Sequence, residues 1–379
     1  MRYCNKCLFP DTKPELGFDE NGVCDACKSS EEKEKIDWDS RKKELEKILD
    51  SYRSKDSSNY DCIIPVSGGK DSHYQTHIIK NEFGLNPLIV NFHPGDFTEL
   101  GRKNIESLKN LGVDCIEFTA NPVIYNKLAK FGFTELGDAE WPEHIGIFTV
   151  PVQIAVNKKI PLIVWGENPQ MEYGGPASVR SSQFLDREWN EKHGGYFLDK
   201  FRPEDMVKYG IKLKDLTPYL YPSDDELKKV GVTGIFLGYY LKWDAKKQVE
   251  IVKKLGFNVN DEPNEGTYTN YENLDTKYVA LHDYFKFLKY GFGRATDHAS
   301  IDIRNKRLTR EEGLKLVKKY EGKIPTKNLN DFLADLKLSK EEFLEICDKF
   351  TNKNLFKTDE KGNLIRDEAD NIEKLAYDN

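Results

Sequence analysis

The residues Ser67-Gly68-Gly69-Lys70-Asp71-Ser72 are the ones whose types and order could do chemistry. Gly68 and Gly69 allow positive φ and a close backbone approach, so successive amides can converge on one anion. A helical pattern starts near Asp71 and would add the unpaired N–H groups and positive dipole of its first turn. Lys70 can reach phosphate oxygens, Ser67 and Ser72 can hydrogen-bond them, and Asp71 can hold the Mg²⁺ that accompanies a polyphosphate. The chemistry this predicts is the binding of ATP phosphates, with Lys70 and Asp71 nearest to catalysis. Asn91, at the end of the next apolar run, belongs to the same expected site.

A second constellation lies at the N-terminus. Four of the seven cysteines fall as Cys4-x2-Cys7 and Cys24-x2-Cys27, the spacing of a zinc site. Four thiolates fill a tetrahedral ion and leave no open position, so the Zn²⁺ predicted there is structural. Two redox dithiols are the alternative, but both pairs lie outside any βαβ pattern.

These residues need elements to position them. From Asp61 onward apolar strands alternate with amphipathic helices, which predicts an α/β fold with a doubly wound, mainly parallel sheet. Strands are expected over 63–66, 88–92, 115–118, 162–165 and 234–241, and helices over 71–82, 98–110, 123–131 and 244–255. Ligands of such sheets bind at the carboxyl ends of strands, where Ser67–Ser72, Asn91 and Gly166-Glu167-Asn168 all lie. Residues 140–144 read as a turn, and 168–187 as a long binding loop or lid. His73 and His77 lack a metal-protease pattern and are not expected to share an ion. The stretch 278–290 is a strongly aromatic helix, and 291–304 is a polar cluster or a capped turn between helices. No internal repeat is evident. The expected domains are a zinc module at 1–30, a helical connector at 31–58, a nucleotide domain at 59–260 and a helical substrate or partner region at 261–379.

Composition bounds the class. Of the 379 residues 38% are apolar and 32% charged, with a net charge of −7, which argues against a broad nucleic-acid grip. No apolar run approaches a membrane span, and the first residues lack the apolar core of a signal peptide, so a cytoplasmic protein with no membrane contact is expected.

The turn is not a Walker A loop, which needs four residues between its first glycine and Gly-Lys-Ser/Thr. It resembles the PP-loop of the N-type ATP pyrophosphatases. With the four cysteines, Trp165-Gly-Glu-Asn-Pro169, Glu172-Tyr-Gly174 and Gly293-Arg-Ala-Thr-Asp-His298, nearly the whole chain resembles the N-acetyl sugar amidotransferases of bacterial surface-glycan pathways, pseudaminic-acid biosynthesis among them. The resemblance implies that an acetamido oxygen is adenylated by ATP and that ammonia from a separate glutaminase displaces AMP to leave an acetamidino group. It implies sugar contacts from Glu167, Asn168, Glu172, Tyr173, Arg180, Arg294, Asp297 and His298. The rival is a PP-loop tRNA-thiolating enzyme, which also carries paired Cys-x2-Cys motifs but predicts a basic face and reactive cysteines. A zinc adaptor that only binds ATP is the non-enzymatic alternative.

Overall fold

A computed structural model describes residues 1–93, 97–198 and 200–375. The apolar runs form strands β1 (Cys62–Pro65), β2 (Pro87–His93), β3 (Asp114–Thr119), β4 (Leu162–Trp165) and β5 (Thr233–Phe236). All four pairings are parallel, in the order β3-β2-β1-β4-β5, with Ile63 opposite both Leu88 and Ile163. The order therefore reverses between β1 and β4.

Alternation along each strand feeds two cores, which explains why these runs are apolar throughout. Ile63, Leu88, Val90, Phe92, Ile163 and Trp165 face helices α5 (Pro122–Phe131) and α6 (Trp141–Lys158). Cys62, Ile64, Ile89, Leu162 and Val164 face the other way. They meet α2 (Trp38–Tyr52), α3 (Lys70–His77), whose π turn supplies Ile78 and Ile79, and α4 (Glu99–Lys109). The fold class stands as an α/β protein with a five-stranded parallel sheet.

Helix α6 corrects the turn expected at 140–144. Those residues open an eighteen-residue helix that is apolar on nearly every side and carries Gly146 and Pro151 inside it. A helix that is apolar on nearly every side has no amphipathic period to detect. The fifth strand is also shorter than expected, because Leu237–Tyr240 turns into a single helical turn. Residues 168–187 are not a loose lid: Pro169–Tyr173 and Ala177–Arg180 are helical, and Leu185 N–H donates to the Gly234 carbonyl at 3.0 Å, pinning the segment to β5.

The cysteine module has almost no core of its own. Cys4, Cys7, Phe9, Cys24 and Cys27 cluster with Phe292, and Leu8 packs on Ala295, Ala299 and Val317. Arg310 Nε donates to the Cys7 carbonyl at 3.1 Å. The α1 helix (Asp25–Lys33) then leads to α2. The C-terminal helices are Val279–Tyr290, Arg294–Arg304, Arg310–Tyr320, Leu329–Leu336 and Lys340–Phe350. They close over α5 through Phe133, whose ring meets those of Phe285, Phe332 and Phe343. Tyr284, Phe285, Phe287 and Phe292 are buried, so the aromatic stretch supplies core.

An internal repeat does exist. Asp359 and Asp367 head two alike turns, each carboxylate accepting the N–H of the residues two and four positions on and the side-chain amide of Asn363 or Asn371. The two units, 359–366 and 367–374, share Asp-Glu-x-x-Asn followed by Leu or Ile, so the repeat is legible in the sequence once its eight-residue period is looked for.

Candidate functional site

The glycine turn follows β1 at the place where strand order reverses, the position at which open α/β sheets bind ligands. Gly68 has φ 93°, and a Cβ on it would meet Ile105 Cγ1 at 2.9 Å, so only glycine fits. Gly69 differs from expectation: its backbone is extended, φ −69°, and it caps α3. The turn closes on itself, with Ser67 N–H donating to Ser72 Oγ at 2.9 Å and Gly69 N–H to Ser67 Oγ at 3.2 Å. Two buried side chains hold it from below. Asn91 Nδ2 donates to the Val66 carbonyl at 2.7 Å, and His73 Nδ1 donates to the Gly69 carbonyl at 3.0 Å. Burial holds His73 down at about 4, so its ring is neutral at pH 7.

Lys70 points away from bulk water, its side chain 7% exposed, between Asp71 Oδ2 and Glu272 Oε1, each 2.7 Å from Nζ. Burial opposes its charge, but Asp71, Glu272 and Glu167 overcome that and hold the ammonium above the usual lysine range. Burial, then the charge of Asp71, pushes the Glu167 carboxyl up to about 8. Three carboxyls thus surround one cation, and the proton that Glu167 keeps limits their combined negative charge.

Two cavities flank the turn. One, of about 250 Å³, is an apolar cleft reaching from Ser67 and Ser72 to Val90, Phe92, Phe148 and Trp189. The other, of about 30 Å³, is lined by Lys70, Glu167, Glu172, Tyr173, Glu272 and His298. Its size suits a water or an ion, not a sugar. A larger polar groove of about 440 Å³ runs along Asn260, Asn264 and Lys277 but holds none of the residues singled out by the sequence.

Of the eight residues assigned to sugar contact, the structure brings Glu167, Glu172, Tyr173 and His298 together with Lys70. Glu172 is also paired with Lys33 of α1. His298 accepts or donates a 2.6 Å hydrogen bond with Thr267 Oγ1, and burial with nearby Arg294 pushes its ring down to about 3. The other four are occupied elsewhere. Asn168 caps the helix Pro169–Tyr173 and donates to the Val179 and Ser182 carbonyls. Arg180 donates to the Asp25 carbonyl at 3.2 Å. Arg294 Nε donates to Asp283 at 3.1 Å, and Asp297 accepts from Lys286. Tyr271, Glu272, Asp302 and Arg307 belong to the Lys70 side of the site; the first two lie in 261–278, which has neither period nor motif, whereas Asp302 lies in the polar cluster 291–304.

The four cysteines form a buried cluster with Cys4 Sγ 3.8 Å from Cys27 Sγ and Cys7 Sγ 3.6 Å from Cys24 Sγ. Thiolates on one tetrahedral zinc at about 2.3 Å lie about 3.8 Å apart, so the cluster can hold that ion. No helix among the described residues is long and apolar enough to cross a membrane.

Residues 265–369 match the family described as LPS biosynthesis protein WbpG-like, C-terminal domain. Over 88 residues the chain is 34% identical to an uncharacterized protein, MJ1599, of Methanocaldococcus jannaschii. That similarity covers 23% of this chain and 31% of the relative, so the chain spans about a third of the curated protein it matches.

Proposed function

We propose that the chain is an AMP-forming, ATP-dependent amidotransferase of the PP-loop type that turns the acetamido group of an N-acetyl sugar into an acetamidino group for a surface glycan. The observation that carries this reading is the Ser67–Ser72 turn at the strand-order reversal, with an apolar cleft on one side and the Lys70 cavity on the other. The WbpG-like match over 265–369 supports the glycan side of it.

Adenosine suits the apolar cleft, against Phe148 and Trp189, which sets the phosphates over Gly68 and the first N–H groups of α3. The acetamido oxygen attacks the α-phosphorus, the bond to the bridging β-phosphate oxygen breaks, and pyrophosphate leaves. Ammonia then adds to the imidate carbon, AMP departs with the former amide oxygen, and a proton is lost. Lys70, already cationic, moves from Glu272 to the departing pyrophosphate. Asp71 and Glu167 would hold a Mg²⁺, which would supply further charge neutralisation on the phosphates.

The ammonia comes from a separate glutaminase. Burial pushes the thiols of Cys62 and Cys347 above their ordinary range and that of Cys115 up to about 11, so none of the three is an activated nucleophile. The same observation disfavours tRNA thiolation. The test is incubation with ATP, Mg²⁺, ammonium and a panel of N-acetyl sugars. AMP and pyrophosphate are expected, with a product lighter by the difference between O and NH, and glutamine inert in place of ammonium. Release of ADP, or sulfur appearing in tRNA, overturns the reading.

A further inference from the structure

One cluster of metal-ligating side chains takes no part in the reaction above. Asp138 precedes α6, His144 lies on the first turn of α6, and His282 projects from the helix Val279–Tyr290. Their ligand atoms all lie within 4.8 Å of one another. His282 Nδ1 is 2.9 Å from Asp138 Oδ1, and His144 Nδ1 is 3.9 Å from Asp138 Oδ2. The two imidazoles meet edge to face with centroids 5.1 Å apart.

The placement is built, not incidental. Gly137 turns the chain at φ 63°, where a Cβ would strike Phe350 and Lys289 below 3 Å, and Asp138 Oδ1 then accepts the Glu140 N–H at 3.0 Å. Both histidines stand on helices fixed by the same apolar core, through Trp141 and Ile145 on one and Leu281 and Phe285 on the other. The nearby cations are already satisfied: Lys289 donates to the Leu136 carbonyl and Arg294 to Asp283.

We propose that Asp138, His144 and His282 bind a divalent first-row transition ion, at a site separate from the four-cysteine cluster. Ligands about 2.1 Å from one ion lie about 3.0 to 3.4 Å apart, and here the histidine nitrogens lie 2.9 and 3.9 Å from the Asp138 oxygens. Two imidazoles and a carboxylate suit zinc, iron, cobalt or nickel better than magnesium. Side-chain exposures of 13% for Asp138, 34% for His144 and 25% for His282 leave the outer side open to solvent. Three protein ligands leave positions for water or for an oxygen of a small hydroxylated or anionic ligand.

The test adds Co²⁺ to the zinc-loaded full chain, with equilibrium dialysis, elemental analysis and visible absorption. About one Co²⁺ per chain beyond the zinc is expected, giving weak ligand-field bands without the thiolate charge-transfer absorption that exchange into the cysteine cluster would produce. His144→Ala and His282→Gln are each expected to weaken that binding by about tenfold or more, since even groups behind the ligands are worth that much. Circular dichroism checks that the variants fold, and His144→Ala, at the more exposed of the two histidines, is the milder one. No cobalt beyond the cluster, cobalt bound only with thiolate absorption, or binding unchanged in both folded variants overturns the proposal.

Discussion

At the scale of single residues, the two glycines of the turn separate cleanly. Gly68→Ala places a Cβ against Ile105 at positive φ and is expected to cost about 1–3 kcal/mol and to abolish ATP binding. In Gly69→Ala the added Cβ meets only Ser67 Oγ, at 3.2 Å, and both properties should largely survive; calorimetric ATP titration and thermal melts of the pair decide it. Glu167 makes a pH prediction. Its carboxyl is raised from 4.5 to about 8, so the folded chain keeps a proton that the unfolded chain releases. The stability this contributes is complete below pH 4.5 and is lost as pH rises through 8. Glu167→Gln should therefore flatten the fall in unfolding midpoint between pH 5 and 8, while lowering AMP formation. A wild-type-like decline in the variant would show that another group causes it. Lys70→Ala should remove AMP formation and, by leaving Asp71 and Glu272 without their counter-charge, cost more stability at pH 8 than at pH 6; urea titrations at the two pH values test it.

At the scale of elements, the sequence showed what has a period or a motif. The first four strands, helices α3 to α5, the Ser67–Ser72 turn and the four cysteines were all legible, because burial on two faces, amphipathic spacing and ligand chemistry leave marks on neighbouring residues. Helix α6 left none: it is apolar on nearly every side, so no stripe stands out in its sequence. Glu272 reaches Lys70 from a segment without regular structure, and Arg180 and Arg294 looked like ligand-binding residues although their charges are met inside the fold. Pairing across the chain is a property of tertiary contact, which no local pattern encodes. The hidden helix has its own test. A Cβ on Gly146 would sit 2.2 Å from the Phe92 ring, which also lines the apolar cleft. Gly146→Ala is expected to cost about 1–3 kcal/mol in urea unfolding and to weaken ATP binding as the ring is displaced; a variant with unchanged affinity would remove the cleft from the nucleotide site.

At the scale of the whole molecule, the cysteine module and the C-terminal helices form one packed unit. Phe9 meets Phe292 at 6.1 Å, Arg310 holds the carbonyls of Cys4 and Cys7, and Lys33 reaches Glu172 beside the Lys70 cavity. Stripping zinc should therefore expose more than the module. Hydrogen exchange is expected to speed up over 1–30 and over 293–320, with the amides of β1 and β2 unchanged. Loosening confined to 1–30 would mean that the packing does not couple them.

That packing also sets an order of events at the ribosome. Leu8 N–H bonds to Ser300 Oγ across 292 positions of sequence. At about 5–20 residues per second, the first-made segment waits roughly 15 to 60 s for the residues that cover it. Over that interval the cysteines emerge with their apolar neighbours Leu8 and Phe9 bare, and a metal ion on the four thiols would hold them together and out of reach of oxidants. Chelating zinc during synthesis is therefore expected to lower the yield of folded chain more than chelating it from the finished protein.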